Sequence, residues 1–231
     1  PSDRPRWVHY GSSISHCMEA TRPTGTWPSV AARLAGADLH SLAVAAQCMI
    51  DPFAARAIRD ATADLISLKL GINVVNGDTM RERTFVPAVH GFIETIRDGH
   101  PDTPIVIVTP IFCPSAEQHP GPTVPGPGGR YVALERPEVF GVGALSLERV
   151  RQLLADIVAA RRAAGDDNLH LISGLDLFGA DEIDDLPDHL HPNAAGYQRM
   201  GERFAALAFG PGRPFGRTAD QHSLPSTSAD R

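Results

Sequence analysis

Pro104-Ile105-Val106-Ile107-Val108-Thr109-Pro110 reads as a buried strand rich in Ile and Val. Just upstream, Phe85, Val89, Phe92, Ile93 and Ile96 recur at three- and four-residue steps and predict a helix over 81–98, with Pro87 and Gly91 against its regularity. Downstream, Leu147, Val150, Leu153, Leu154, Ile157 and Val158 mark a second amphipathic helix, and 169–172 a further strand. Toward the N-terminus the alternation continues, with strands over 65–70, 39–44 and 6–11. Between them lie a helix capped by Thr26 and stopped at Gly36, burying Val30 and Leu34, and one opened by Asp51-Pro52 with Phe53 and Ile58 inward. A closing helix over 193–207 turns Tyr197, Met200, Phe204 and Leu207 inward. Strands alternating with helices imply βαβ units and a five-stranded, mostly parallel sheet covered on both faces.

At 231 residues and 24.7 kDa the chain suits one such domain, over 1–209. From 210 to 231 the Pro, Gly, Ser and polar content predicts a flexible tail. The Pro- and Gly-rich stretch 113–143 breaks the rhythm. It reads as a long loop or lid beside the sheet edge where α/β proteins place their ligands, or as a disordered insertion.

A net charge of -6 lacks the basic excess that nucleic-acid binding requires, so no nucleic-acid partner is expected. No apolar run reaches the roughly 18 residues of a membrane helix, and the protein is expected to be soluble. Three cysteines, Cys17, Cys48 and Cys113, show no disulfide or zinc spacing and read as buried free thiols. Lys69 is the one lysine among 21 basic residues. The chain opens with Pro1 and no secretory leader follows, so removal of an upstream segment is expected, with a cytoplasmic location favoured and secretion open.

Serine-based ester hydrolysis requires a hydroxyl nucleophile, a base, a group to orient the base, and donors for the oxyanion. Gly11-Ser12-Ser13-Ile14 follows the first strand, Gly71-Ile72-Asn73-Val74 follows the third, and Asp188-His189-Leu190-His191 precedes the last helix. In this order and over nearly its whole length the chain resembles the SGNH hydrolases, the GDSL esterase and lipase family. The resemblance implies a three-layer α/β/α sandwich of flavodoxin-like strand order. It makes Ser13 the nucleophile, with Ser12 as the rival serine, His191 the base and Asp188 its partner. The oxyanion hole would comprise the Ser13 N–H, the Asn73 amide and the N–H of Ala46, which stands where the family has a glycine. Val74 replaces the family's Asp after Asn73.

The implied activity is hydrolysis of a carboxylic ester through an acyl-enzyme, with a small-molecule ester as partner and a small acyl group on a polar or carbohydrate alcohol preferred. No metal or organic cofactor is implied. A lipase, thioesterase or acyltransferase of the same family, or a non-catalytic binding protein on the same fold, is the alternative. Relatives with an added N-terminal β-domain leave room for one in the full-length protein. His189 and His191 with Asp188 also admit a metal reading, but no second ligand group of matching spacing exists. His9, His16 and His90 read as satisfied core or surface residues, and Trp27 as a helix-start anchor. Cys17 and Cys48, close to Ser13 and Ala46, read as active-site floor or simply as small buried hydrophobes.

Overall fold

The computed structural model describes residues 3–216. Its strands are β1 (Arg6–Tyr10), β2 (Asp38–Ser41), β3 (Leu65–Lys69), β4 (Ile105–Val108), β5 (Thr123–Pro125), β6 (Tyr131–Ala133) and β7 (Leu169–Ile172). Five of them form a wholly parallel sheet in the order β2-β1-β3-β4-β7, while β5 and β6 pair as a separate antiparallel hairpin. The helices are α1 (Ser13–His16), α2 (Trp27–Ala35), α3 (Pro52–Asp60), α4 (Ile72–Asn76), α5 (Glu82–Arg97), α6 (Leu147–Ala163) and α7 (Ala194–Phe209).

Strand alternation sorts the layers. Along β1, Trp7 faces α2 and α7, where its ring stacks on Phe204 at 5.3 Å, while Tyr10 faces the other side and stacks on Phe92 of α5 at 5.5 Å. The pair α2 and α7 covers one face, and α3, α5 and α6 cover the other. Across the middle of the sheet Val8 pairs with Ile66, Ile66 with Ile105 and Ile105 with Leu169. All four are buried, which is why these strands read as apolar runs rather than as alternating ones. The strand order reverses between β1 and β3, so the crevice at their C-terminal ends is where a ligand is expected in this architecture.

Several details differ from the sequence-based expectations. β2 ends at Ser41, although the amides of Leu42 and Val44 still donate to the carbonyls of His9 and Gly11. Phe53 is 65% exposed, because α3 buries Ala54, Ala55 and Ile58, and a residue five positions before Ile58 points elsewhere on the helix. Leu34 is also exposed; Trp27, Val30 and Ala31 make the buried stripe of α2. Residues 210–216, assigned to the tail, turn back so that Phe215 is buried against Phe204 and Phe209. The remaining part of that tail, 217–231, lies outside the described residues.

Candidate active site

The crevice between β1 and β3 gathers the segments singled out in the sequence. After β1 the chain passes Gly11, where a Cβ would lie 2.4 Å from Ser15 Oγ, so only glycine lets the strand run this close to α1. Ser12 caps α1: its buried Oγ accepts from the Ile14 N–H at 3.3 Å. Ser13 opens the helix, and its Oγ stands 2.9 Å from Nε2 of His191. The two adjacent serines therefore do different things, and only Ser13 meets the imidazole.

His191 Nδ1 lies 2.6 Å from Asp188 Oδ2. The other carboxylate oxygen, Oδ1, accepts from the backbone N–H groups of Leu190 at 2.9 Å and His191 at 2.7 Å. Burial alone would raise the Asp188 carboxyl, but the hydrogen bonds from the His191 ring and the two amides outweigh it and hold the group below its ordinary range. An ionised Asp188 is acceptor-only, which fixes the ring so that its far nitrogen faces Ser13. Asn193 anchors the loop to α7, with Oδ1 accepting from the Gly196 N–H and Nδ2 donating to Asp185.

Asn73 is the second residue of α4, reached through Gly71 at φ 109°, where a Cβ would lie 2.5 Å from Val150 Cγ1. Its Oδ1 accepts from the Cys48 N–H at 3.0 Å. Because an N–H can bond only to the oxygen end of the amide, this contact fixes which end is which and leaves Nδ2 to donate elsewhere. Ala46 sits in a left-handed turn at φ 60°, a conformation suited to glycine that costs alanine about 1 kcal/mol. The Val44 N–H to Gly11 carbonyl bond of 2.8 Å ties this turn to the Ser13 segment.

Both ring nitrogens of His191 are engaged, by Ser13 and by Asp188. Among the described residues no three His, Cys, Asp or Glu side chains could hold an ion. Nor, among them, is any helix long and apolar enough to cross a membrane.

Two features escaped the sequence reading. The hairpin of β5 and β6 lies within 113–143, and its Tyr131 donates its N–H to the Asp188 carbonyl at 2.8 Å and sets its ring edge-on to His191 at 6.1 Å. The segment is pinned at its far end by Arg136 to Asp78 at 2.8 Å and by the Glu82 N–H to the Gly143 carbonyl. Its signal was there: short β-forming runs flank the Gly and Pro residues of 126–129. The second feature is a buried polar layer beneath the site, formed by His9, Ser15, Ser67 and Lys69. Single polar residues inside apolar runs carry no pattern that announces it.

The structure is thus a parallel α/β sandwich with a serine, a histidine and an aspartate in one hydrogen-bonded row at the strand ends. The chain matches the GDSL-like lipase/acylhydrolase family over residues 9–199 and belongs to it. Among solved structures it is similar to the salicylyl-acyltransferase SsfX3 from a tetracycline biosynthetic pathway, with 31% identity and a TM-score of 0.72, over 87% of this chain and 53% of that one. A family two carbohydrate esterase from Clostridium thermocellum, an active-site mutant, shares the fold at 17% identity and a TM-score of 0.64, over 89% of this chain and 63% of that one. So does a family 3 carbohydrate esterase from Clostridium thermocellum, at 14% identity and a TM-score of 0.58, over 87% and 94%. The chain spans about half the length of SsfX3. A search of curated proteins found no match.

Proposed function

We propose that this chain is a serine esterase that cleaves a carboxylic ester through an acyl-enzyme. The observation that carries the reading is the continuous row from Ser13 Oγ through the His191 ring to the Asp188 carboxylate, with links of 2.9 and 2.6 Å. Ser13 attacks the ester carbonyl as His191 Nε2 takes its proton. Asp188 stabilises the imidazolium that results, and His191 then hands the proton to the departing alcohol. Water repeats the sequence on the acyl-enzyme and frees the acid. The Ser13 N–H, the Ala46 N–H and the Asn73 amide are the oxyanion donors, each worth about 2.7 to 4 kcal/mol of barrier lowering when well aimed.

The preferred substrate is a small acyl group on a polar or carbohydrate alcohol. An open cavity of about 570 Å³ lies beside α1, bordered by Thr21, Arg22, Ser29 and Ser41 together with the apolar Met18 and Pro23. A second reading, transfer of the acyl group to an alcohol other than water, draws support from the 31% identity to SsfX3. The same acyl-enzyme serves both.

The test is a panel of esters of varied acyl length run beside Ser13→Ala, with an organofluorophosphonate probe. Labelling and turnover by the native protein that vanish in Ser13→Ala fit the enzyme; equal labelling of both proteins, or none, indicates a binding protein. Ester products formed with competing alcohols would favour transfer over hydrolysis.

A further inference from the structure

Directly beneath the nucleophile lies a chain of buried hydrogen bonds that the proposed reaction does not use. Trp7 Nε1 donates to Ser67 Oγ at 2.8 Å, Ser67 Oγ lies 2.7 Å from His9 Nδ1, and His9 Nε2 lies 2.8 Å from Ser15 Oγ. These four side chains are at most 2% exposed. Three of them come from the neighbouring inner strands β1 and β3, and the fourth from α1, two residues after Ser13.

Burial and the nearby charge of Lys69 push the His9 ring down to about 3, so it is neutral wherever an esterase of this kind works. A neutral imidazole has one donor and one acceptor nitrogen, so one serine donates to it while the other accepts from it. The ring thus spans β3 and α1 as a bridge of fixed length. Positions two apart on a helix point about 200° from each other, so a pin on Ser15 at the inner face sets the roll that presents Ser13 on the outer face. Gly11 admits this close approach, since a Cβ there would come within 3.1 Å of His9 Nε2 as well as striking Ser15.

We propose that His9 is a positioning residue for the nucleophile, holding α1 through Ser15 so that Ser13 Oγ stays in line with the His191 ring. The inference rests on the reading of Ser13 as nucleophile. A helix of four residues has little stiffness of its own, so a small loss of register here reaches the reacting oxygen directly. Misplacement by about 1 Å costs on the order of a hundredfold in rate.

The test compares His9→Leu, which keeps bulk and loses both hydrogen bonds, His9→Gln, which keeps a donor and an acceptor, and Ser15→Ala. Each is assayed on p-nitrophenyl acetate per active site titrated, alongside the rate of fluorophosphonate labelling. The expected result for His9→Leu is a tenfold to hundredfold loss in kcat and in labelling rate with KM within about threefold. His9→Gln should recover most of that loss, and Ser15→Ala should fall in the same direction without adding to His9→Leu in the double variant. If His9→Leu does not fold, Ser15→Ala and Ser67→Ala decide, each expected to lower kcat at unchanged KM. Full kcat per titrated site in these variants, while Ser13→Ala is dead, overturns the positioning role alone. Turnover that survives Ser13→Ala overturns the reading on which it rests.

Discussion

Lys69 makes the most quantitative prediction. It ends β3, is 1% exposed, and its Nζ has no hydrogen-bond partner among the described residues. Burial is the main influence on it, and with Arg151 adding to the effect it pushes the amine from 10.5 down to about 8 against the opposing influence of the neighbouring cysteines. At 1.36 kcal/mol per pH unit, the charged form is penalised in the fold by about 3 kcal/mol. The sign follows from proton counts. Below pH 8 both states carry the proton and the full penalty applies; between about 8 and 10.5 the unfolded chain binds more, so this contribution to stability improves as pH rises. Lys69→Met removes the charge at similar length. It should stabilise the protein by about 3 kcal/mol at pH 7, which for a chain of this size is roughly 6 to 12 °C in Tm.

Urea unfolding of wild type and variant at several pH values separates this effect from others. The buried thiols of Cys17, Cys48 and Cys113 are pushed up to about 12, so both proteins lose stability above pH 9, and the comparison cancels that loss. The gap between the two should narrow from about 3 kcal/mol at pH 7 to about 2 at pH 9 and about 1 at pH 10. A variant no more stable than wild type, or a gap that does not change with pH, would refute the assignment of a buried, uncompensated amine.

Asn73→Ala should lower kcat by about 10² to 10³. Asn73→Asp, which keeps the oxygen that accepts from Cys48 but loses the donor, should be as damaging; activity near wild type in Asn73→Asp would mean that bracing, and not donation, is the residue's task. Ala46→Gly relieves the left-handed strain but frees the unfolded chain, so stability should hold within about 0.5 kcal/mol and kcat within threefold, whereas Ala46→Val at φ 60° should lower kcat; a tenfold loss in Ala46→Gly would count against the turn as described. The three thiols, buried and pushed up to about 12, should resist an aromatic disulfide reagent at pH 8 in the native protein and yield three equivalents in guanidinium. Rapid reaction of any one in the native state would contradict its burial.

The layers were legible because they follow from apolar spacing. The five buried positions of α5 sit where the three- and four-residue steps put them, and Pro87 is accommodated on the exposed side of that helix. Phe53 and Leu34 lie outward although large and apolar, because the helix face is set by its neighbours: alanines 54 and 55 with Ile58 in α3, and Trp27 with Val30 in α2. The hairpin over 123–133 was hidden by the breakers that form its turn. Phe215 was hidden because one aromatic in a Gly- and Pro-rich stretch has no periodicity to announce that it docks.

Within the site, what could be read was the identity of the side chains, and what could not was how the backbone holds them. Each of the three segments that meet in the crevice is tied to a buried cysteine. The Cys17 N–H donates to the Ser13 carbonyl at 2.7 Å, the Cys48 N–H to Asn73 Oδ1 at 3.0 Å, and Cys113 Sγ lies 3.7 Å from the carbonyl of Leu190, next to His191. Two of these bonds come from main-chain amides, to which any residue except proline could contribute, so nothing in the residue type predicts them. What the cysteine side chain adds is compactness: a small buried group whose thiol finds a nearby carbonyl, that of Ile14 for Cys17 at 3.0 Å and that of Lys69 for Cys48 at 3.5 Å. Cys48 is wholly buried beneath the site, whereas Cys17, 3% exposed, also borders the open cavity beside α1.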